Sequence, residues 1–184
     1  MNLPTYTKKL TETYHFKGEN CLWAKVNLDI NKESVNVFIS SDYGEYSNYW
    51  SACGMEPKKF LSTLNKYYIL KKFLTRNELN EPDWDERLKS CKQTIIDNRR
   101  DQEVDAHIAK AAWDNLLDLF DDNNGSEDIY WHTLTNDYYL SKIFHDWEYI
   151  PEDIKISHKA ELFYSDVWLP FEQILIHELN SLEG

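Results

Sequence analysis

Glycine and proline are scarce here, five of each in 184 residues, which speaks against a turn-rich sandwich and for helices with short connections. The two glycines nearest to each other, Gly44 and Gly54, stand ten residues apart. No Gly-rich phosphate loop and no GxSxG nucleophile elbow can therefore be built. Cysteine is scarcer still. Cys21, Cys53 and Cys91 lie 32 and 38 residues apart, without the paired spacing of structural zinc sites, so buried, reduced thiols are expected. No stretch of about 18 apolar residues exists, and the start MNLPTYTKKLTETYHF lacks the apolar core of a signal peptide. The expectation is a cytoplasmic chain with no membrane partner. Finally, lysine and arginine are missing altogether from residues 111 to 141.

What is present is aromatic and acidic. Seven Trp, 12 Tyr and 8 Phe within a 42% hydrophobic composition give enough apolar surface to fold despite a net charge of −12. A chain of this length buries roughly 70% of its unfolded surface, so one compact or two-lobed domain is expected. The acids are unevenly placed. Residues 1–76 hold 11 Lys and Arg against 7 Asp and Glu, residues 77–184 hold 9 against 25, and residues 101–184 hold 4 against 19. Like charges at that density destabilise a compact state, so their concentration marks either a solubility device or a face shaped for a cationic partner.

A period of two runs from Thr5 to Trp50 and predicts strands near 6–16, 21–30, 35–41 and 46–52. In the second, Leu22, Ala24, Val26, Leu28 and Ile30 share one face, the mark of a half-buried antiparallel strand. Asp42-Tyr43-Gly44-Glu45 supplies a tight turn or bulge. Beyond Gly54 the period becomes helical. The spacing predicts one helix from Pro57 to Phe73, a loop at 77–80 and a second helix opened by Pro82 with Trp84, Leu88, Cys91 and Ile95 inward. A third runs from about Val104 to Phe120 with Trp113, Leu116, Leu117 and Phe120 buried. A fourth, capped by Ser126, breaks near Asn136-Asp137, and a last one over Lys159 to Leu182 is interrupted by Pro170. The sum is an α+β fold, a small N-terminal antiparallel sheet over 1–56 packed against a C-terminal layer of about five helices over 57–184, acidic from about 101.

Candidate chemistry is thin. None of His15, His107, His132, His145, His158 and His177 sits four residues from another His, so no local metal pair forms, and no cofactor is expected. His145, Asp146 and Glu148 are the members an enzyme reading would use, although neighbouring helical side chains diverge. In the string Ser40 to Trp50 the rings alternate, which places Tyr46 and Trp50 on one face and Tyr43 and Tyr49 nearer the other. Cross-strand packing explains most of them, and exposed rings beside lysine also suit base stacking.

The third helix carries the sharper expectation. Asp114, Asp118, Asp121 and Asp122 fall at i, i+4, i+7 and i+8 on one stripe, with neighbours about 5 to 6 Å apart along the axis. Duplex DNA presents one charge per roughly 1.7 Å of its axis, so such a stripe can compete for a groove that holds nucleic acid. Glu127, Asp128, Asp146, Glu148, Glu152 and Asp153 extend it if the following segments pack alongside. A merely solvated face is the plainer reading, but solubility is served by mixed signs, and this stretch has no lysine. Direct binding of nucleic acid through the acidic half is disfavoured by repulsion, and none is expected.

The string FISSDYGEYSNYW, with Pro57-Lys58-Lys59-Phe60-Leu61 and Tyr67-Tyr68-Ile69-Leu70-Lys71-Lys72-Phe73 after it, resembles a group of small phage and prophage proteins. That group shows an SDYG strand ending in aromatics and Trp, then a helix with FL and YLL-K elements. The likeness spans about residues 20 to 75 and, more weakly, Val167-Trp168-Leu169-Pro170-Phe171. It assigns no residue a role. It implies a viral or mobile-element origin, a setting in which acidic anti-CRISPR and anti-restriction inhibitors recur. The leading expectation is thus a non-enzymatic inhibitor of a basic host protein or nucleoprotein complex. An immunity protein against a basic nuclease toxin and an enzyme with a dispersed active site are the alternatives, and the aromatic surplus leaves room for a homodimer.

Overall fold

The computed structural model describes residues 8–122, 126–146 and 150–182, the side chains of Asp122 and Leu182 excepted. Four strands, β1 (Glu12–Phe16), β2 (Ala24–Asn31), β3 (Ser34–Ser41) and β4 (Gly44–Trp50), form an antiparallel sheet in sequence order. Alternation sets its inner face: Ala24, Val26, Leu28, Val35, Val37, Ile39, Tyr46 and Trp50 are buried. Two-residue turns close the two central hairpins, and the second uses the positive φ (134°) of Gly44, which a side chain would strain. β2 begins at Ala24 and not at residue 21. The Asp42 carboxylate accepts the backbone N–H of Leu22 at 2.6 Å and of Trp23 at 3.4 Å, and Leu22 is 79% exposed. The part of the expected first strand before residue 8 lies outside the described residues.

Where one long helix is expected from Pro57, there are three short ones: α1 (Pro57–Leu61), α2 (Lys66–Phe73) and α3 (Arg76–Leu79). Local polar bonds cut the run. The Ser62 and Thr63 hydroxyls bond the Lys59 and Phe60 carbonyls, and the Asn65 side chain caps α2 by accepting from the Tyr68 N–H. The expected loop at 77–80 is instead α3, because Thr75 and Glu78 form a capping box. Pro82 closes the short strand β5 (Asn80–Pro82), which pairs with β6 (Ile154–Ile156), and Asp83 caps α4 (Trp84–Arg100). Then follow α5 (Ala106–Asp122), α6 (Glu127–Asn136), a 3-10 turn at Leu140–Lys142, α7 (His158–Phe163), a π turn at Tyr164–Trp168 and α8 (Leu169–Leu182). The wider turn comes directly ahead of Pro170, which has no N–H to give, so the proline does not end the helical path.

The fold is α+β, and its helices serve two compact units. Unit 1 is residues 1–80 with 156–184, and its core joins the sheet to Leu61, Ile69, Leu70, Phe73, Phe163, Trp168, Phe171 and Leu175. Unit 2 is residues 81–155, helical apart from short strand residues, with a core of Cys91, Ile95, Ala112, Leu116, Tyr130, Leu134, Leu140 and Phe144. The change from strand to helix at 56/57 is thus internal to unit 1. In α5 the buried line is Ala109, Ala112, Leu116 and Leu119, while Trp113, Leu117 and Phe120 are half-buried. The stripe is rotated from the expected one because two alanines, weak hydrophobic signals, occupy its centre. All three cysteines are free and buried, and no described helix is long and apolar enough to cross a membrane.

Candidate partner-binding face

The charge asymmetry follows the units. Unit 2 contains 8 Lys and Arg against 19 Asp and Glu, a net −11, and unit 1 contains 12 against 13, a net −1. Within unit 2, α5 turns its alanine and leucine line inward, and the helical period puts Asp114, Asp118 and Asp121 on the outside. All three are exposed, and no described Lys or Arg pairs with them. They span about 10 Å of helix. Asp118 also lines a shallow groove with Asn115, Leu119, Ile129, Thr133 and Asp137, across which the Asn115 amide donates to Asp137 at 2.9 Å. That bond fixes the wall beside the acidic stripe.

The other expected members divide. Asp128 is exposed in the first turn of α6. Glu127 is half-exposed and committed inward, because its carboxylate accepts from Arg87 Nη2 at 2.8 Å. Asp146 is half-buried and already engaged within the protein. The side chain of Asp122 and all of Glu148 lie outside the described residues. The stripe of three carboxylates is accordingly the coherent part of the set.

Sequence reasoning missed the polar centre of unit 2. Arg87 is 2% exposed, with its guanidinium carbon 4.9 Å from the Trp84 ring centre and 5.2 Å from that of Tyr130. Its Nε donates to the Asp153 carbonyl at 3.0 Å, while Nη1 is buried with no hydrogen-bond partner among the described residues. Beside it the Tyr130 hydroxyl donates to the Pro151 carbonyl at 3.0 Å and lies 3.4 Å from Cys91 Sγ. Burial pushes the Cys91 thiol up to about 11, which makes it inert as a nucleophile near neutral pH. Unit 1 holds a second such group. Lys58 bridges the Glu12 and Glu178 carboxylates, and the Tyr14 hydroxyl lies 2.7 Å from the first and 3.0 Å from the second. In the aromatic strand Tyr46 and Trp50 are buried, Tyr49 is exposed, and the Tyr43 hydroxyl donates to buried Asp166 at 2.7 Å. Burial, then the Asp166 carboxylate, raises the Tyr43 phenol. The six histidines are all exposed, and no group of three or more His, Cys, Asp or Glu among the described residues could hold a metal ion.

The sequence matches the family model Phage_phiTE_072, a phage family, over residues 5–178. The chain belongs to this phage family. The match passes through both units, so the acidic segment lies within the family's extent and is not appended to it. No curated protein and no solved structure is a significant match to the chain.

Proposed function

We propose that this phage protein is a non-enzymatic inhibitor, acting in the host cytoplasm, that docks unit 2 onto a Lys/Arg-lined surface of a host defence nuclease or CRISPR complex. In that reading the α5 carboxylates take the place of nucleic-acid phosphates. One observation carries it: Asp114, Asp118 and Asp121 stand exposed in a row, and no described Lys or Arg pairs with them. Keeping unpaired like charges on one stripe costs folding energy, a few tenths of a kcal/mol per pair, which an outside partner would offset. The −11 balance of unit 2 would steer encounter with such a partner and make affinity salt-sensitive. Membership of a phage family supplies the setting in which a host defence is a natural target.

The test is plating efficiency on a host with active restriction or CRISPR immunity, with the protein supplied from a plasmid. Wild type is expected to restore plating of a sensitive phage by tenfold or more. The variant D114K/D118K/D121K, shown by circular dichroism to be folded, is expected to lose that protection. Equal protection by both proteins overturns the mimicry reading of α5.

A further inference from the structure

Unit 1 carries a face of the opposite sign. From Pro57 to Asn77 the chain has six Lys or Arg and no Asp or Glu. Two of the six are used internally: Lys58 holds Glu12 and Glu178, and Lys66 pairs with Glu161. Lys71, Lys72 and Arg76 are exposed and form no ion pair among the described residues. α2 buries Ile69, Leu70 and Phe73, which leaves Tyr67, Lys71 and Lys72 outward. The spacing of four then stacks cation on ring twice. Lys71 Nζ stands 4.5 Å from the Tyr67 ring centre and Lys72 Nζ 5.3 Å from that of Tyr68. Tyr67 is 51% exposed, whereas Tyr68 is anchored by accepting the Trp50 Nε1–H at 3.0 Å. Arg76 follows α2 by three residues and opens α3, whose capping box fixes it.

A single-stranded nucleic acid alternates phosphate charge with flat bases, and proteins that track it combine a cationic path with exposed rings. Three cations with no ion pair among the described residues and an exposed tyrosine, all within residues 67–76, offer that combination. We infer that the outer face of α2 and the start of α3 bind the phosphate backbone of single-stranded nucleic acid, with Tyr67 stacking on a base. The net charge of −12 opposes this at long range. Unit 1 itself is near neutral, with a net charge of −1. The inference does not depend on the α5 proposal.

The experiment is fluorescence anisotropy of a labelled 20-nucleotide oligothymidylate with the full chain, between 50 and 200 mM KCl. Wild type is expected to bind with a log K versus log salt slope of about −2, as three phosphate contacts imply. K71E/K72E/R76E is expected to lose at least tenfold, and Y67A about fivefold without a change of slope. D114K/D118K/D121K is expected to keep binding. Should the charge reversal unfold the chain, K71Q/K72Q/R76Q takes its place. No anisotropy change at 50 mM, or wild-type binding by a folded cation variant, overturns the inference. So does a salt-sensitive dimer in light scattering that either charge reversal dissolves while the oligonucleotide stays free, because the cations would then hold a second copy's α5.

Discussion

Arg87 shows at the scale of one residue why the candidate face is smaller than its acids suggest. The guanidinium is buried between two rings and draws Glu127 inward, so a carboxylate next to the acidic stripe in sequence serves unit 2's own stability. Nothing in the sequence announces this, because arginine is nearly always exposed and Glu127 looks like any other first-turn acid. Removing the guanidinium opens a hole and strands polar neighbours. Arg87→Ala is therefore expected to destabilise unit 2 by about 3 kcal/mol in urea unfolding followed by Trp fluorescence, with Arg87→Lys recovering only part of it. A loss under about 1 kcal/mol would contradict the anchoring role. The Lys58 group makes a pH prediction. Burial alone would raise the Glu12 carboxyl, but bonds from Lys58 and Tyr14 outweigh burial and hold it below its ordinary 4.5. A folded-state value below the unfolded one adds stability above pH 4.5 that disappears as pH falls through the folded value. Wild type should exceed Glu12→Gln in urea midpoint at about pH 6, and the gap should narrow progressively as the pH is lowered below 4.5. A gap that stays constant across this range refutes the coupling.

Among the elements, the strands were the most legible, because alternation over β2 and β3 leaves one way to face a core. The helix after Pro57 was less so. Its apolar stripe continues through Ser62 to Asn65, and only hydroxyl and amide bonds to nearby backbone groups cut it. Sequence patterns weigh hydrophobicity more heavily than such bonds. The rotation of α5 has the same origin, since Ala109 and Ala112 pack as well as leucine where space is small yet count for little in a pattern. The π turn was not legible at all, and it sets a tight approach in unit 1. A Cβ on Gly18, in the connection between β1 and β2, would lie 2.3 Å from the Asp166 carbonyl oxygen and 2.8 Å from its Cβ. Backbone at that distance cannot yield cheaply. Gly18→Ala is expected to lower stability by about 2 kcal/mol, read as a shift of the thermal midpoint. An unchanged midpoint would show that the loop moves aside at little cost.

At the scale of the whole molecule, the sequence made the separation of charge visible but not its cause. Counted along the chain, the acids accumulate toward the C-terminus. In the structure the C-terminal helices α7 and α8 return to unit 1, and the excess belongs to residues 81–155. This pairing of distant segments cannot be read from spacing. In the proposed complex the α5 carboxylates occupy a site where the partner otherwise holds nucleic acid. The most direct measurement is competition between this protein and a labelled DNA duplex for the defence complex that the plating assay identifies, repeated across salt. Protein and DNA are expected to exclude each other, with a steep salt dependence that flattens in D114N/D118N/D121N. Simultaneous binding of both, or one salt slope for the wild type and the variant, would contradict it.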